Sequence, residues 1–331
     1  MTTKKGLGNQ LQVGFAKEAV RGTAEVAATF YLPFQDAQVD DKDEKAELNV
    51  GIGVIETSVD EKITKQFAEI SVKGPVGDKI IPLILLGTLG TCTTGDNADT
   101  DVTIKDHVLT VAQSAQHQSL SVFLDDPLSA VDYKHGLGCV ESLELSYEQG
   151  KFIEYALKMK AKKGETATLT PATTTENYFL PQHFSFKIAS ALAGLDAASA
   201  VVIKSMKLKI GKKLEEDFNL GSLTATDFLI SGLTIEGDLE AVWQDEATFK
   251  TAALAGTAKA MRIDLKNTDV TIGAAANPEI KIDLARVIFK ELTRPFKVGE
   301  IVKQSLSFKA HYSIADSKSI TITCTNNTAS Y

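Results

Sequence analysis

Short runs in which apolar and polar residues alternate one for one recur along the whole chain. They include Glu69-Ile70-Ser71-Val72-Lys73, Leu143-Glu144-Leu145-Ser146-Tyr147, Lys207-Leu208-Lys209-Ile210 and Ser305-Leu306-Ser307-Phe308-Lys309. Successive side chains of a strand point to opposite faces, so each run predicts a half-buried antiparallel strand with one face on a core and one in water. A mainly β chain follows. Helical periodicity is confined to two strings, KIIPLILLGTLG after Asp78 and EATFKTAALAGTAKAM after Asp245, and each aspartate stands where it would cap a helix N-terminus.

Both helical strings directly follow a strand, and laying one half of the chain on the other gives a weak internal repeat. In the first half FAEISVKG leads to the first helix, a polar loop, the strand HQSLSVFL and a closing hairpin from VESLELSYEQG into KFIEYALKMKAKKG. In the second, LTIEGDLEAVW leads to the second helix, a polar loop, the strand EIKIDLARVIF and a closing hairpin from KQSLSFKAHYS into SKSITITCTN. A length of 331 residues also exceeds what one core usually organises. The Thr-, Pro- and Gly-containing stretch 164–177 reads as a linker, so the expected division is 1–175 and 176–331.

Composition removes several functional classes. Acidic residues outnumber basic ones by 43 to 35, the wrong sign for a protein that grips phosphates. The longest apolar run, residues 80–86, falls short of the ~20 residues of a membrane span, and no apolar segment follows the N-terminal lysines as in a secretory signal, which places the chain in a cytoplasm during synthesis. Three separated cysteines, Cys92, Cys139 and Cys324, fit buried thiols and form neither a disulfide framework nor a metal-ligand pattern. No cofactor or metal is expected.

The opening GLGNQLQVGFAKEAVRGTAEVAATFYLPF (residues 6–34), the central VESLELSYEQGKF and the closing VKQSLSFKAHYSIADSKSITITCTN resemble the tail tube proteins of long-tailed, non-contractile bacteriophages, in the group with two tube domains per chain. The resemblance implies a duplicated tail-tube-like fold, each domain a β-sandwich or half-barrel flanked by one helix, with the first domain carrying an N-terminal arm and a long loop. It implies a virion structural protein without catalysis, assembled in the host cytoplasm into stacked rings whose hollow tube conducts DNA at ejection. Single-domain relatives place six copies in a ring, so three chains would make one pseudo-hexameric ring here. The partners implied are further copies of the chain, a tape measure, a tail terminator, a baseplate or distal tail protein, and DNA passing without sequence-specific contact. Head-to-tail contacts that close give rings, and stacking contacts that do not close give filaments.

Within that reading the polar members of the alternating strands are candidate lumen residues: Glu69, Ser71, Glu144, Ser146, Thr234, Glu236, Asp238, Glu240, Ser305 and Ser307, with Lys73 and Lys309 departing from an acidic wall. The acidic run 36–47, with Asp36, Asp40, Asp41, Asp43, Glu44 and Glu47, reads as an exposed hairpin loop. In the family the equivalent loop reaches the next ring, so it is expected to be mobile in the free subunit and ordered in the tube.

Plainer readings stand beside these. His107, His117, His135, His183 and His311 form no HExxH or His/Cys cluster and read as surface or loop residues. The adjacent acids Asp40-Asp41, Asp125-Asp126 and Glu215-Glu216-Asp217 read as solvated loops rather than paired catalytic carboxylates. Gly6-Leu7-Gly8 lacks a dinucleotide context. The basic run 158–163 reads as a solvated strand end that blunts a sheet edge, and Trp243 as a core or interface anchor. The alternatives are a tube or sheath component of a bacterial injection or secretion apparatus, and a β-sandwich adhesion or carbohydrate-binding protein, to which one tryptophan and 7% aromatic residues give little support.

Overall fold

A computed structural model describes residues 7–127, 131–242, 249–296, 298–299 and 301–331. The alternating runs become the strands of one wide antiparallel sheet. Its order is β3 (Asp36–Asn49), β4 (Ser58–Pro75), β9 (Glu154–Ala161), β8 (Asp132–Glu148), β12 (Ile203–Asp217), β13 (Asp227–Val242), β16 (Lys303–His311) and β15 (Glu279–Thr293). One face carries Ile70, Val72, Leu143, Leu145, Leu157, Met159, Leu208, Ile210, Leu239, Leu306 and Phe308, all buried. Gly237 interrupts that row because a Cβ there would lie 2.1 Å from the Lys207 carbonyl oxygen and 2.6 Å from the Phe308 ring.

β8 and β15 are long enough to leave this sheet at a bulge and enter a second layer. The first half of β8 pairs with β7 (Leu120–Asp125) and with β10 (Glu165–Ala167), and β7 pairs with β1 (Gln12–Lys17), which carries β2 (Phe30–Leu32). The first half of β15 pairs with β14 (Lys259–Lys266), which carries β11 (Phe184–Ala189), and with β17 (Ile320–Asn326). β17 in turn pairs with β6 (Lys105–Val111), itself paired with β5 (Gly90–Asp96). Strands from both sides of residue 175 therefore share sheets, at β8–β12 and at β6–β17.

Helix α1 (Ile80–Leu89) lies between the layers with all ten residues buried, whereas α2 (Lys250–Ala255) is a short turn against β15 through Phe249 and Phe289, whose rings meet edge to face 5.5 Å apart. A helix apolar all round must be covered all round, and its unpaired end groups then need partners inside the protein. At the C-terminal end the Leu86 carbonyl accepts from Gly90 N–H, that of Gly87 from Lys212 Nζ (2.8 Å), and that of Leu89 from Ala112 N–H (2.7 Å). The His117 ring lies between the carbonyls of Thr88 and Ala112. Two of these partners are cations or potential cations at the negative end of the helix dipole. Burial pulls the Lys212 ammonium down to about 7.

Several expectations are corrected. Asp78 does not cap α1: its carboxylate accepts from the Asn177 backbone N–H and side-chain amide at 2.9 and 2.8 Å. Glu176 takes that place, accepting from Lys79 N–H at 2.9 Å across a backbone kept bare by Gly77, where a Cβ would lie 2.1 Å from the carboxylate. The stretch 164–177 is thus tied to the core and is not a free linker. β16 and β17 do not form a hairpin, because each is taken up by β15. β9 is no edge strand, since β4 and β8 flank it. Asp245 and Trp243 lie outside the described residues, as does Gly6.

Burial raises the Glu176 carboxyl to about 8. A carboxyl that is easier to protonate folded than unfolded takes up a proton on folding, so its burial costs nothing at acid pH and progressively more from about pH 4.5 to about pH 8. We predict that the thermal midpoint falls across this interval in the wild type and that Glu176→Gln flattens the fall. Equal slopes in the two proteins, measured by calorimetry, would count against this assignment.

Candidate functional site

Because the eight strands keep register across the wide sheet, every second residue of each lands on one solvated face. All ten polar residues singled out from the alternation lie there. Glu69 and Ser71 stand opposite Lys160 and Lys158, Glu144 and Ser146 opposite Lys209 and Lys207, and Thr234 opposite Gly211. Glu236, Asp238 and Glu240 lie between Lys209, Lys207 and Ser205 on one side and Lys309, Ser307 and Ser305 on the other. Glu69, Thr234, Glu236, Asp238 and Ser305 are exposed, and the other five are half-buried.

The face is mixed in charge rather than uniformly acidic. Lysines interleave with the acids, in pairs such as Lys73–Glu154 at 2.9 Å, Lys207–Glu144 at 3.5 Å and Lys303–Glu240 at 3.0 Å. Like charges directly opposite on neighbouring strands repel, and most opposed pairs on this face alternate in sign, Asp40 opposite Glu69 being an exception. The result is a densely charged surface with little net field, on which a polyanion finds no continuous cationic track.

The second feature is the β3–β4 hairpin. The acidic run is a strand and not a loop: β4 pairs with it along one edge from Asp36 to Asn49. Its base is held to the body, with Asp41 Oδ1 accepting from Gly164 N–H at 3.0 Å and Asp43 Oδ1 3.8 Å from Lys163 Nζ. Asp36 and Asp40 share the charged face, Asp40 with Lys42 at 3.0 Å. Farther out, Glu44 pairs with Lys65 at 3.0 Å, and Glu47 stands opposite Glu61. The tip adds a signal that the polarity of the run hid: Leu48, Val50, Ile52, Val54 and Ile55 are all exposed, Ile55 at 97%. The string LNVGIGVIE, with five aliphatic residues in nine positions, carries that signal in the sequence.

The remaining candidates are structural. His107, His117, His135 and His183 are buried rather than on the surface, and only His311 is half-buried. Their ring nitrogens meet fixed partners, as at His107 between Thr94 Oγ1 (3.0 Å) and Asn326 Oδ1 (3.1 Å), and desolvation lowers the His107 and His117 imidazoles. Asp125, Glu215, Glu216 and Asp217 sit on strands rather than in loops. All three thiols are free, with Cys139 and Cys324 buried and Cys92 half-buried. Among the described residues no group of three or more His, Cys, Asp or Glu gathers as a metal site, and no helix is long and apolar enough to cross a membrane.

Lys207 and Lys209 are both exposed, and exposed pairs are each worth only about 0–1 kcal/mol. The double substitution Lys207→Glu, Lys209→Glu is expected to lower the melting midpoint by no more than about 4 °C, because the charge pattern is not what holds the sheet together. A collapse of the fold in circular dichroism would show otherwise.

Residues 8–310 match the family model for phage tail tube proteins. No curated protein matches the chain.

Proposed function

We propose that this chain, which belongs to the phage tail tube protein family, builds the wall of a hollow, non-contractile tail by closing into rings of three chains that stack into a tube. As a member of that family it has a structural role in the virion tail. The observation that carries the finer reading is the wide sheet, with one face apolar and covered, the other charged and bare, and its outer strands β3 and β15 at opposite edges. Open edges of this length invite pairing with another chain, and a closed barrel removes them.

Eight strands from each of three chains give 24. At a spacing of ~4.8 Å and a tilt of ~40° they enclose a barrel roughly 50 Å across at the backbone, wide enough to pass a DNA duplex. The charged face then becomes the lumen, with Glu69, Ser71, Glu144, Ser146, Thr234, Glu236, Asp238, Glu240, Ser305 and Ser307 interspersed with lysines along the DNA path. The two halves of the chain serve as two copies of one tube domain, with the seam near residue 175. The repeated pairing order supports this: β3-β4-β9-β8 and β12-β13-β16-β15 follow the same connections. The exposed apolar tip of the β3–β4 hairpin is the element that reaches the adjacent ring, a role that suits aliphatic residues left in water on a single chain. A tape measure, a terminator and a distal tail protein would set the tube's length and ends.

Two experiments test this reading. Replacing residues 50–57 by Asn-Gly should leave the melting midpoint unchanged and permit rings, while negative-stain microscopy finds them unstacked; full-length tubes from this variant would remove the tip from the stacking contact. In intact tails, Glu236→Lys with Glu240→Lys should slow DNA ejection, and an unchanged rate would take that face out of the lumen.

A further inference from the structure

The two halves meet inside the chain at one strand pair. β8 receives β12 in the register Leu143 to Ile210, Glu144 to Lys209, Leu145 to Leu208 and Tyr147 to Met206. Tyr147 is the anchor of this seam, buried at 5% exposure with its ring 5.1 Å from that of Phe184, and only about 50 Å³ of space remains beside it.

Each partner in this seam has a counterpart in the other half. β8 bulges between His135 and Gly138 opposite β7, and β15 bulges between Leu284 and Val287 opposite β14. Counting on from these bulges sets Leu143 against Leu292 and Glu144 against Thr293, and continuing the count three residues past the end of β15, beyond Pro295, sets Tyr147 against Phe296. The pairing of β9 with β4 and of β16 with β13 fixes the other side, setting Met206, Lys209 and Ile210 against Ala37, Asp40 and Asp41. The short 3-10 turns that lead into β1 and β11, Gly8–Gln10 and Pro181–His183, correspond as well. Each is closed by its third side chain on a leucine N–H, Leu7 to Gln10 Oε1 at 3.2 Å and Leu180 to His183 Nδ1 at 3.1 Å. That alignment sets Phe184 against Leu11.

Each counterpart is paired on one side only, the C-terminal part of β15 with β16 and β3 with β4. Among the described residues no strand pairs with the other edge of β15 at Leu292 and Thr293, or with the outer edge of β3. Phe296, in the place of buried Tyr147, is 72% exposed. Beside β3 runs a groove of about 530 Å³ lined by Gly8, Leu11, Tyr31, Phe34, Ala37 and Thr173, where the matching space in the second half is filled by Tyr147. An exposed aromatic side chain and a groove with apolar residues in its lining occur at the two ends of one interrupted pattern.

We propose that the seam between the halves is repeated between chains: β15 of one copy pairs with β3 of the next, Leu292 opposite Asp41 and Thr293 opposite Asp40, and Phe296 enters the groove beside Ala37 and Leu11. The occupant of the groove is a second copy of this chain, because the in-chain seam already shows an aromatic residue at that register seated against that surface. This inference rests on the ring reading above and adds to it the contacting edges, their register and the anchor. A buried aromatic at the centre of an interface is the residue type whose truncation usually weakens it most.

Oxidation of a Cys92→Ser, Asp40→Cys, Thr293→Cys chain under conditions where the wild type forms rings should give covalent trimers on a non-reducing gel, since directly opposed residues have Cβ atoms about 5 Å apart. Moving one cysteine to position 41, on the other face, should abolish the cross-link. Phe296→Ala should raise the concentration needed for ring formation at least about tenfold without shifting the melting midpoint of the single chain, and Phe296→Tyr, which restores the residue type found at 147, should assemble as the wild type does. Wild-type rings without the cross-link, together with undiminished assembly of Phe296→Ala, would overturn the seam and leave the ring standing. A wild type that forms no rings at any concentration would overturn the ring and the seam together.

Discussion

Helix α1 has no side toward water, and the rest of the molecule is arranged around that fact. Burying a Leu or Ile side chain contributes about 1.5–3 kcal/mol, so a string such as IIPLILL gains greatly from being enclosed. An enclosed helix nevertheless carries polar ends that cost free energy if left bare. Those ends are served by side chains far away in sequence: Glu176 at the N-terminal end, and Lys212 and His117 at the other. Removing any one of them strands a backbone group in the core. The helix therefore fixes not only the first half but also the segment after residue 164 and strand β12, and through β12 the wide sheet.

That sheet solves two problems with one alternation. Its covered face holds α1 and the second layer, while its bare face must stay soluble and, on the proposed reading, must let a polyanion slide. A uniformly acidic wall would repel DNA but would also repel itself across every strand pair. Interleaved lysines relieve that repulsion at the cost of the field. On that reading the charged face is a compromise between the strand-pair contacts and the passage of DNA, set by Lys207, Lys209, Lys158, Lys160 and Lys309 as much as by the acids.

The strands were legible in the sequence because period-two alternation survives wherever one face is buried and the other wet. The ten polar residues chosen from it fall on one face for the same reason. What the alternation could not convey was partnership. The sequence order of β16 and β17 reads as a hairpin, yet both are claimed by β15, a contact that no local pattern encodes. The polar run 36–47 read as a loop because its charges masked a strand whose only obligation is to pair with β4. The histidines read as surface residues because burial of an imidazole depends on carbonyls and amides that arrive from elsewhere, such as Thr88 and Asn326. Asp78 looked like a cap because the competitor, Glu176, stands 97 residues beyond the amide it binds.

One pairing has a consequence for how the molecule reaches this state. Strand β6 finds its neighbour in β17, with Asp106 and Thr325 joined across 219 residues of chain. Contacts this remote in sequence close late and slow the search for the native state. Until β17 arrives, the β5–β6 hairpin holds an open flank, and the layer that encloses α1 remains unfinished. A chain still being made therefore lacks the completed layer until its last strand, Ile320–Asn326, has been synthesised.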